Sequence, residues 1–207
     1  MIAIVDYGVG NLFSLKSSFA YLGIPTVVTR DKKEIENSDK IILPGVGAFR
    51  DAAASLAGFG LDTLMREEAA KGKPILGICL GMQMLFDKSY EYGEYEGLGI
   101  LHGSVRPLSD AIPKELKIPH IGWNALHFPK NKEKSPLFKD VSEGECVYFV
   151  HSYYAADCED SVIATAEYGK EVTAAAGKNN VFGCQFHLEK SGEVGMKILR
   201  AFYEYKA

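Results

Sequence analysis

Apolar residues fall into two rhythms along the chain. In the first half, short strand-like segments at residues 2–5, 25–29, 40–43 and 74–78, mostly apolar and β-branched, alternate with stretches where apolar residues return every three or four positions. Segments of this kind suit strands buried on both faces, and the wider spacing suits helices that cover them. Leu12, Leu15, Phe19 and Leu22 predict a helix over 11–22, and residues 51–70 carry a helical pattern interrupted around Gly58-Phe-Gly60. The alternation predicts an α/β fold with a doubly wound, mostly parallel sheet, whose site lies at the carboxyl ends of its strands.

After Asp87 the rhythm changes. Residues 90–96 are polar and aromatic and read as a surface loop. Short strand patterns then follow at 99–107, 119–128, 146–152, 161–168, 172–176 and 180–186. These predict a mixed or antiparallel layer added to the parallel sheet. Val194, Ile198, Leu199 and Phe202 predict a closing helix over 190–205. No Pro/Gly/Ser-rich linker and no repeat divides the sequence, so residues 1–207 are expected to form one domain.

Composition narrows the function classes. The chain has 207 residues, 23 basic against 27 acidic, for a net charge of −4. No long basic cluster favours nucleic acid, and no apolar run approaches the roughly 20 residues of a membrane span. The N-terminus lacks the basic segment of a signal peptide. Cys79, Cys146, Cys158 and Cys184 show neither a Cys-x-x-Cys pair nor zinc-ligand spacing, so a cytoplasmic protein with reduced thiols is expected, without metal or cofactor.

The candidate chemistry centres on Gly77-Ile-Cys-Leu-Gly-Met-Gln83, where a buried strand pattern meets a helical one. A Gly-x-Cys-x-Gly at such a junction is the thiol counterpart of a nucleophile elbow. The positive end of the helix dipole there favours a thiolate. The same residues also fit a buried structural cysteine among packing glycines. Pro44-Gly-Val-Gly47 follows the third strand and offers backbone N–H groups suited to an oxyanion. His187 and Glu189 lie two apart, on one side of the chain if it stays extended, as a base and its orienting carboxylate. Gly8-x-Gly10 resembles a dinucleotide loop only in part, because Phe13 stands where its third glycine belongs. The simpler reading there is a tight turn with Asn11 as helix N-cap.

Taken together, the Cys79 elbow, Pro44-Gly-Val-Gly47 and His187-x-Glu-Lys-Ser191 resemble the class I, or triad, glutamine amidotransferases. Within them the resemblance is greatest to glutaminase subunits of imidazole glycerol phosphate synthase, through Asp6-Tyr-Gly-Val-Gly-Asn11, Ile121-Gly-Trp-Asn124 and Tyr148-Phe-Val-His-Ser-Tyr153. It spans essentially the whole chain and implies a flavodoxin-like sheet and a Cys79–His187–Glu189 triad. It implies oxyanion donors at Leu80 and at Val46 and Gly47, in a loop that reorients before the hole is complete. Glutamine contacts are implied at Gln83, Ser152 and Tyr153. The implied partner is a (β/α)8-barrel cyclase subunit that receives the ammonia, with Asn11, Trp123, Tyr148 and Lys190 at or near that interface. The family usually has proline where this chain has Leu188, which loosens the backbone by on the order of 1 kcal/mol, so Leu188→Pro is expected to stabilise the fold. A related subunit serving a different synthase, and a catalytically idle regulatory subunit, remain as alternatives.

Overall fold

The computed structural model describes residues 1–206. The first half runs β1 (Ile2–Val5), α1 (Leu12–Tyr21), β2 (Thr26–Thr29), α2 (Lys32–Glu36), β3 (Lys40–Gly45), α3 (Phe49–Gly58), α4 (Leu61–Ala70) and β4 (Ile75–Cys79). The short helix α5 (Leu80–Met84) starts immediately after Cys79. Helix α2 falls outside the sequence prediction because five residues hold too little pattern. Its signal is Asp31, whose carboxylate caps the helix by accepting from the Lys33 and Glu34 N–H groups.

The second half comprises β5 (Lys88–Ser89), β6 (Tyr95–Glu96), β7 (Ser104–Pro107), β8 (His120–Ala125), β9 (Cys146–His151), β10 (Tyr153–Ala156), β11 (Val162–Glu167), β12 (Glu171–Lys178), β13 (Val181–Cys184) and α6 (Gly192–Glu204). The main sheet has the order β11-β12-β13-β4-β3-β1-β2. Its five strands β13-β4-β3-β1-β2 are parallel, and β12 and β11 add antiparallel to the β13 edge. The late strands therefore do not form one added layer. Two of them widen the main sheet in its own plane, because β13 returns beside β4 and leaves an edge to be paired. The others make a four-stranded sheet, β10-β7-β5-β6, and an antiparallel β8–β9 pair.

The mostly apolar segments have a simple cause: both faces of the parallel sheet are covered. Ile2, Ile4, Ile42, Leu76 and Ile78 face a core shared with Phe19 of α1 and Ile198 and Phe202 of α6. Ala3, Val5, Ile41, Leu43 and Ile75 face the opposite core, with Leu56 of α3 and Leu64 of α4. Alternate residues of one strand thus enter different cores, and neither face needs a polar side chain. None of the helices is long and apolar enough to cross a membrane among the described residues.

The site end of the sheet is set by register. Gly45, the last residue of β3, pairs with Cys79, the last of β4, so the loop after β3 lies beside the turn into α5. That turn leaves no room for side chains. A Cβ on Gly81 would sit 1.8 Å from the Leu43 carbonyl oxygen, and one on Gly77 would sit 2.6 Å from the Gly81 oxygen. Because the obstruction at Gly81 is backbone, Gly81→Ala is expected to cost about 3 kcal/mol or more, measured by urea unfolding; a loss below about 1 kcal/mol would show that α5 shifts freely.

Candidate active site

Cys79 holds φ 55° and ψ −112°, a conformation that costs a non-glycine residue on the order of 1–3 kcal/mol and that clusters at functional sites. It lines a cavity of about 340 Å³ that also takes in Val46, Gly47, Leu80, Gln83, Ser152, Tyr153 and His187. Of the predicted site residues, the nucleophile, the base, the oxyanion candidates and the glutamine contacts all meet in this one cavity. A larger groove of about 980 Å³ between α1 and α6 reaches Glu189 but contains neither Cys79 nor His187.

His187 and Glu189 meet by a different route from the one expected. The extended run stops at Cys184, and Leu188–Lys190 forms a 3₁₀ turn leading into α6. The turn brings Glu189 Oε1 to 2.9 Å from His187 Nδ1, leaving Nε2 as the ring nitrogen not committed to the carboxylate. The bend is forced by Leu188, which is fully buried in the α6-side core instead of continuing the strand alternation. The main chain fixes His187 in place: its N–H donates to the Tyr148 carbonyl at 3.0 Å, and Ser191 Oγ donates to its carbonyl at 2.6 Å. The Tyr148 N–H in turn donates to Ser191 Oγ at 3.0 Å.

The electrostatics follow from burial and contact. Burial disfavours the imidazolium, but the neighbouring Cys79 and the bond to Glu189 outweigh it and raise the His187 pKa to about 9. Burial pushes the Glu189 carboxyl up, yet the bond to His187 and its charge hold it below the usual carboxylate range. Asn11 Nδ2 also donates to Glu189 Oε1, at 3.3 Å. Asn11 occupies the N-cap position of α1 but makes no capping bond with its side chain, so its amide serves Glu189 instead.

The N-terminal glycine motif is a buttress. Asp6 is tied to Arg30 at 2.7 Å and accepts from the Gly8 N–H, while Asp31 caps α2. The Tyr7 hydroxyl donates to the Pro44 carbonyl at 2.6 Å, and a Cβ on Gly10 would press on Pro44 at 3.0 Å. Asp6-Tyr-Gly-Val-Gly-Asn11 therefore supports both the Pro44-Gly-Val-Gly47 loop and, through Asn11, the Glu189 carboxylate. The four residues expected at an interface also adjoin the site. The Trp123 ring lies 5.9 Å from that of Tyr148, and Lys190 Nζ lies 5.8 Å from the Tyr148 centroid. Trp123 is 55% exposed.

Two residues of the site, Gln185 and Glu91, were not singled out by the sequence, and a third, His151, stood out only by its place next to Ser152 and Tyr153. Gln185, fully buried, donates from Nε2 to Cys79 Sγ at 3.7 Å and accepts from Gln83 Nε2 at 3.0 Å. Glu91 lines the cavity and accepts from the Phe49 N–H at 2.5 Å; burial raises its pKa. His151 lines the cavity too, and burial lowers its pKa to about 4, so it is neutral near pH 7. Gln185 sits between Cys184 and His187 in the strand-like run, where its polarity on a buried strand was the available signal. Glu91, in the polar and aromatic loop between β5 and β6, offered none.

The chain matches the family described as Glutamine amidotransferase class-I over residues 3–205. The chain belongs to the class I glutamine amidotransferases. The amidotransferase is 52% identical over 204 residues to the imidazole glycerol phosphate synthase subunit HisH of Lactococcus lactis subsp. lactis, covering 98% of each chain. It is 51% identical over 205 residues to the HisH subunit of Caldanaerobacter subterraneus subsp. tengcongensis, covering 99% of this chain and 98% of the other. Among solved structures, a glutamine amidotransferase superposes with a TM-score of 0.75 at 18% identity, over 99% of this chain and 98% of the other. PurLQS from Thermotoga maritima gives 0.74 at 22%, over 99% and 97%. These two likenesses speak to the fold, a class I amidotransferase α/β sheet.

Two predictions come from this geometry. Because its folded-state pKa is raised above 6.5, His187 contributes stability that is fully present below about pH 6.5 and lost as the pH rises through about 9. NMR titration should place His187 near 9 in the wild type and clearly lower in Cys79→Ala; an unchanged value would remove Cys79 as a cause. For Leu188→Pro, burial revises the expected stabilisation. Leu188 is the first residue of the 3₁₀ turn, where proline fits, but the exchange removes buried side chain worth about 0.8 kcal/mol per CH₂. That offsets the entropic gain of about 0.4–1 kcal/mol. Thermal and urea unfolding should therefore show a net change within about 1 kcal/mol of zero.

Proposed function

We propose that the chain is the glutaminase subunit of a cytoplasmic imidazole glycerol phosphate synthase, acting in histidine biosynthesis. The observation that carries this reading is Cys79 and His187 lining one cavity, with Glu189 bonded to the far side of the His187 ring, in a chain about half identical to HisH subunits along its full length. Substrate glutamine would place its side-chain amide at Cys79. The thiolate attacks the amide carbon, His187 having taken the thiol proton, and the oxyanion is met by the N–H of Leu80 and by the loop at Val46 and Gly47. Collapse breaks the C–N bond as His187 returns the proton to the departing ammonia, leaving a γ-glutamyl thioester. His187 then deprotonates water, which attacks the thioester and releases glutamate and Cys79. Glu189 keeps the ring oriented and stabilises its charged form.

Glutamine also has an α-ammonium and an α-carboxylate. Glu91 is the carboxylate lining the cavity and suits the ammonium by charge, while Gln83, Ser152 and Tyr153 form the wall where the rest of the substrate lies. The partner is a (β/α)8-barrel cyclase subunit that uses the ammonia, forming a heterodimer with this single amidotransferase domain. Asn11, Trp123, Tyr148 and Lys190 are the residues of this chain proposed to face it. The mutual approach of Trp123, Tyr148 and Lys190, the Tyr148 carbonyl bond to the His187 N–H and the Asn11 bond to Glu189 support that placement.

The test is glutamine hydrolysis in the presence of the cyclase subunit and its ligand. The wild type should release glutamate. Cys79→Ala should lower glutamine-dependent synthesis by on the order of 10³-fold or more while ammonia-dependent synthesis continues. Absence of hydrolysis by the wild-type complex would refute the reading, and loss of both activities in Cys79→Ala would make Cys79 structural.

A further inference from the structure

The cavity wall at His151, Ser152 and Tyr153 is held by two buried histidines that the proposed reaction does not use. His151 Nδ1 lies 2.8 Å from the Tyr153 carbonyl oxygen, and His151 Nε2 lies 3.0 Å from His120 Nδ1. His120 Nε2 lies 2.7 Å from Asn124 Oδ1, and Asn124 Nδ2 donates to the Glu167 carbonyl at 2.8 Å. Toward the thiol, the same Tyr153 carbonyl accepts from Gln83 Nε2 at 3.1 Å, Gln83 bonds Gln185, and Gln185 touches the Cys79 sulfur. An unbroken line of polar contacts therefore runs from β8 to the nucleophile. His120, His151, Gln83 and Gln185 are all less than a tenth exposed, in surroundings where an apolar side chain would fill space without the cost of burying polar atoms.

We propose that His120 and His151 form a positioning relay that fixes the Tyr153 carbonyl and, through it, the Gln83–Gln185 pair beside Cys79. The relay rests on the glutaminase reading only for what the cavity holds. Its geometry dictates the tautomers. A carbonyl only accepts, so His151 carries its proton on Nδ1, and its neutral ring then accepts at Nε2 from His120 Nδ1–H. The outer link is different. Asn124 spends its NH₂ on the Glu167 carbonyl and turns Oδ1 to His120, which needs a second proton on Nε2 to satisfy it. Fully bonded, the two rings hold three N–H protons, one more than two neutral imidazoles.

The faces of His120 receive such a charge: the rings of Tyr168 and Phe149 stack on it, with centroids at 3.9 and 5.0 Å. Burial opposes a charge on His120, while burial and His187 act against one on His151, and the Tyr168 hydroxyl is turned away to the Lys117 carbonyl. When the third proton leaves, the link to Asn124 loses its donor while the links to His151 and Tyr153 stay intact. The cavity wall is thus held by β8 through the His120–His151 link at neutral pH, and only the outer link from His120 to Asn124 depends on protonation. Strand β8 turns the relay inward from His120 and Asn124, and turns Ile121 and Trp123, 58% and 55% exposed, outward.

The experiment measures glutamine KM and kcat for the synthase complex with wild type, His120→Phe, His151→Ala and His151→Asn, alongside ammonia-dependent synthesis and melting temperature. Phenylalanine keeps the aromatic stack and removes both bonds, and asparagine keeps a donor for the Tyr153 carbonyl. His120→Phe and His151→Ala should raise KM about tenfold with kcat changed less than about threefold and ammonia-dependent synthesis unchanged. His151→Asn should stay within about threefold of wild type. Imidazole ¹⁵N spectra of the isolated chain should show His151 as the Nδ1–H tautomer between pH 5 and 8, and lose that preference in His120→Phe. Wild-type KM in both His120→Phe and His151→Ala, equal losses in His151→Asn and His151→Ala, or an Nε2–H tautomer at His151 would overturn the relay. A wild-type complex without glutaminase activity would refute the glutaminase reading instead, and the ¹⁵N spectra would still decide the relay.

Discussion

The structure depends first on the close approach of β4, β3 and α5 around Cys79. A strand can hand over to a helix within one residue only if that residue takes an unusual backbone conformation and its neighbours yield space. Cys79 takes the conformation, at φ 55°, and glycines yield the space. Gly77 and Gly81 face each other across the turn, and Gly45 is hemmed in by Gly81, Leu80 and the Tyr7 hydroxyl. On the other flank a Cβ at Gly183 would meet Met82 at 2.5 Å. The strain is carried by the surrounding packing, where both faces of the sheet are closed by separate apolar cores. The result is a thiol held at the carboxyl end of the central strand by close backbone packing.

The other half of the proposed triad comes beside that thiol by a second strand end. Strand β13 lies parallel beside β4, pairing Cys184 with Ile78, so the residues after Cys184 emerge next to the elbow. Leu188 dives into the core below α6 and turns the chain, which lifts Glu189 back against His187. The same burial explains how this chain does without the family's usual proline. Core packing at Leu188, together with the Tyr148–His187–Ser191 hydrogen bonds, fixes a turn that a proline ring would fix through φ.

How much of this was legible in the sequence follows from where each signal resides. Strands buried on both faces leave mostly apolar segments, so the parallel core could be read directly, and a tight turn leaves glycines at fixed offsets, so the elbow could be read too. Features created by tertiary pairing left no such trace. The widening of the sheet by β12 and β11 depends on which edge β13 leaves open. The 3₁₀ turn at Leu188–Lys190 looked like extended chain because Gln185 and His187 keep the alternation of a strand. Asn11 read as a helix cap by position, yet its amide is drawn to Glu189, some 180 residues away in sequence. His120 and His151, on separate strands, become one unit only when β8 pairs with β9 and sets them opposite each other.

The contrast between Gly45 and Gly47 locates the adjustable part of the site. Gly45 has backbone and side chain within 3 Å of its missing Cβ, whereas nothing lies within 4 Å of that position at Gly47, where φ is +94°. Between them Val46 is 41% exposed. The loop is thus clamped at its root by Tyr7 and the elbow and unhindered two residues later. His187 is tied by its own main chain to Tyr148 and Ser191, and Glu189 is held by His187 and Asn11. A change of state at this site therefore has little freedom to move the triad. The freedom lies in the peptide at Val46 and Gly47, so the proposed oxyanion donors, and not the proposed nucleophile or base, are where the proposed partner would have room to act.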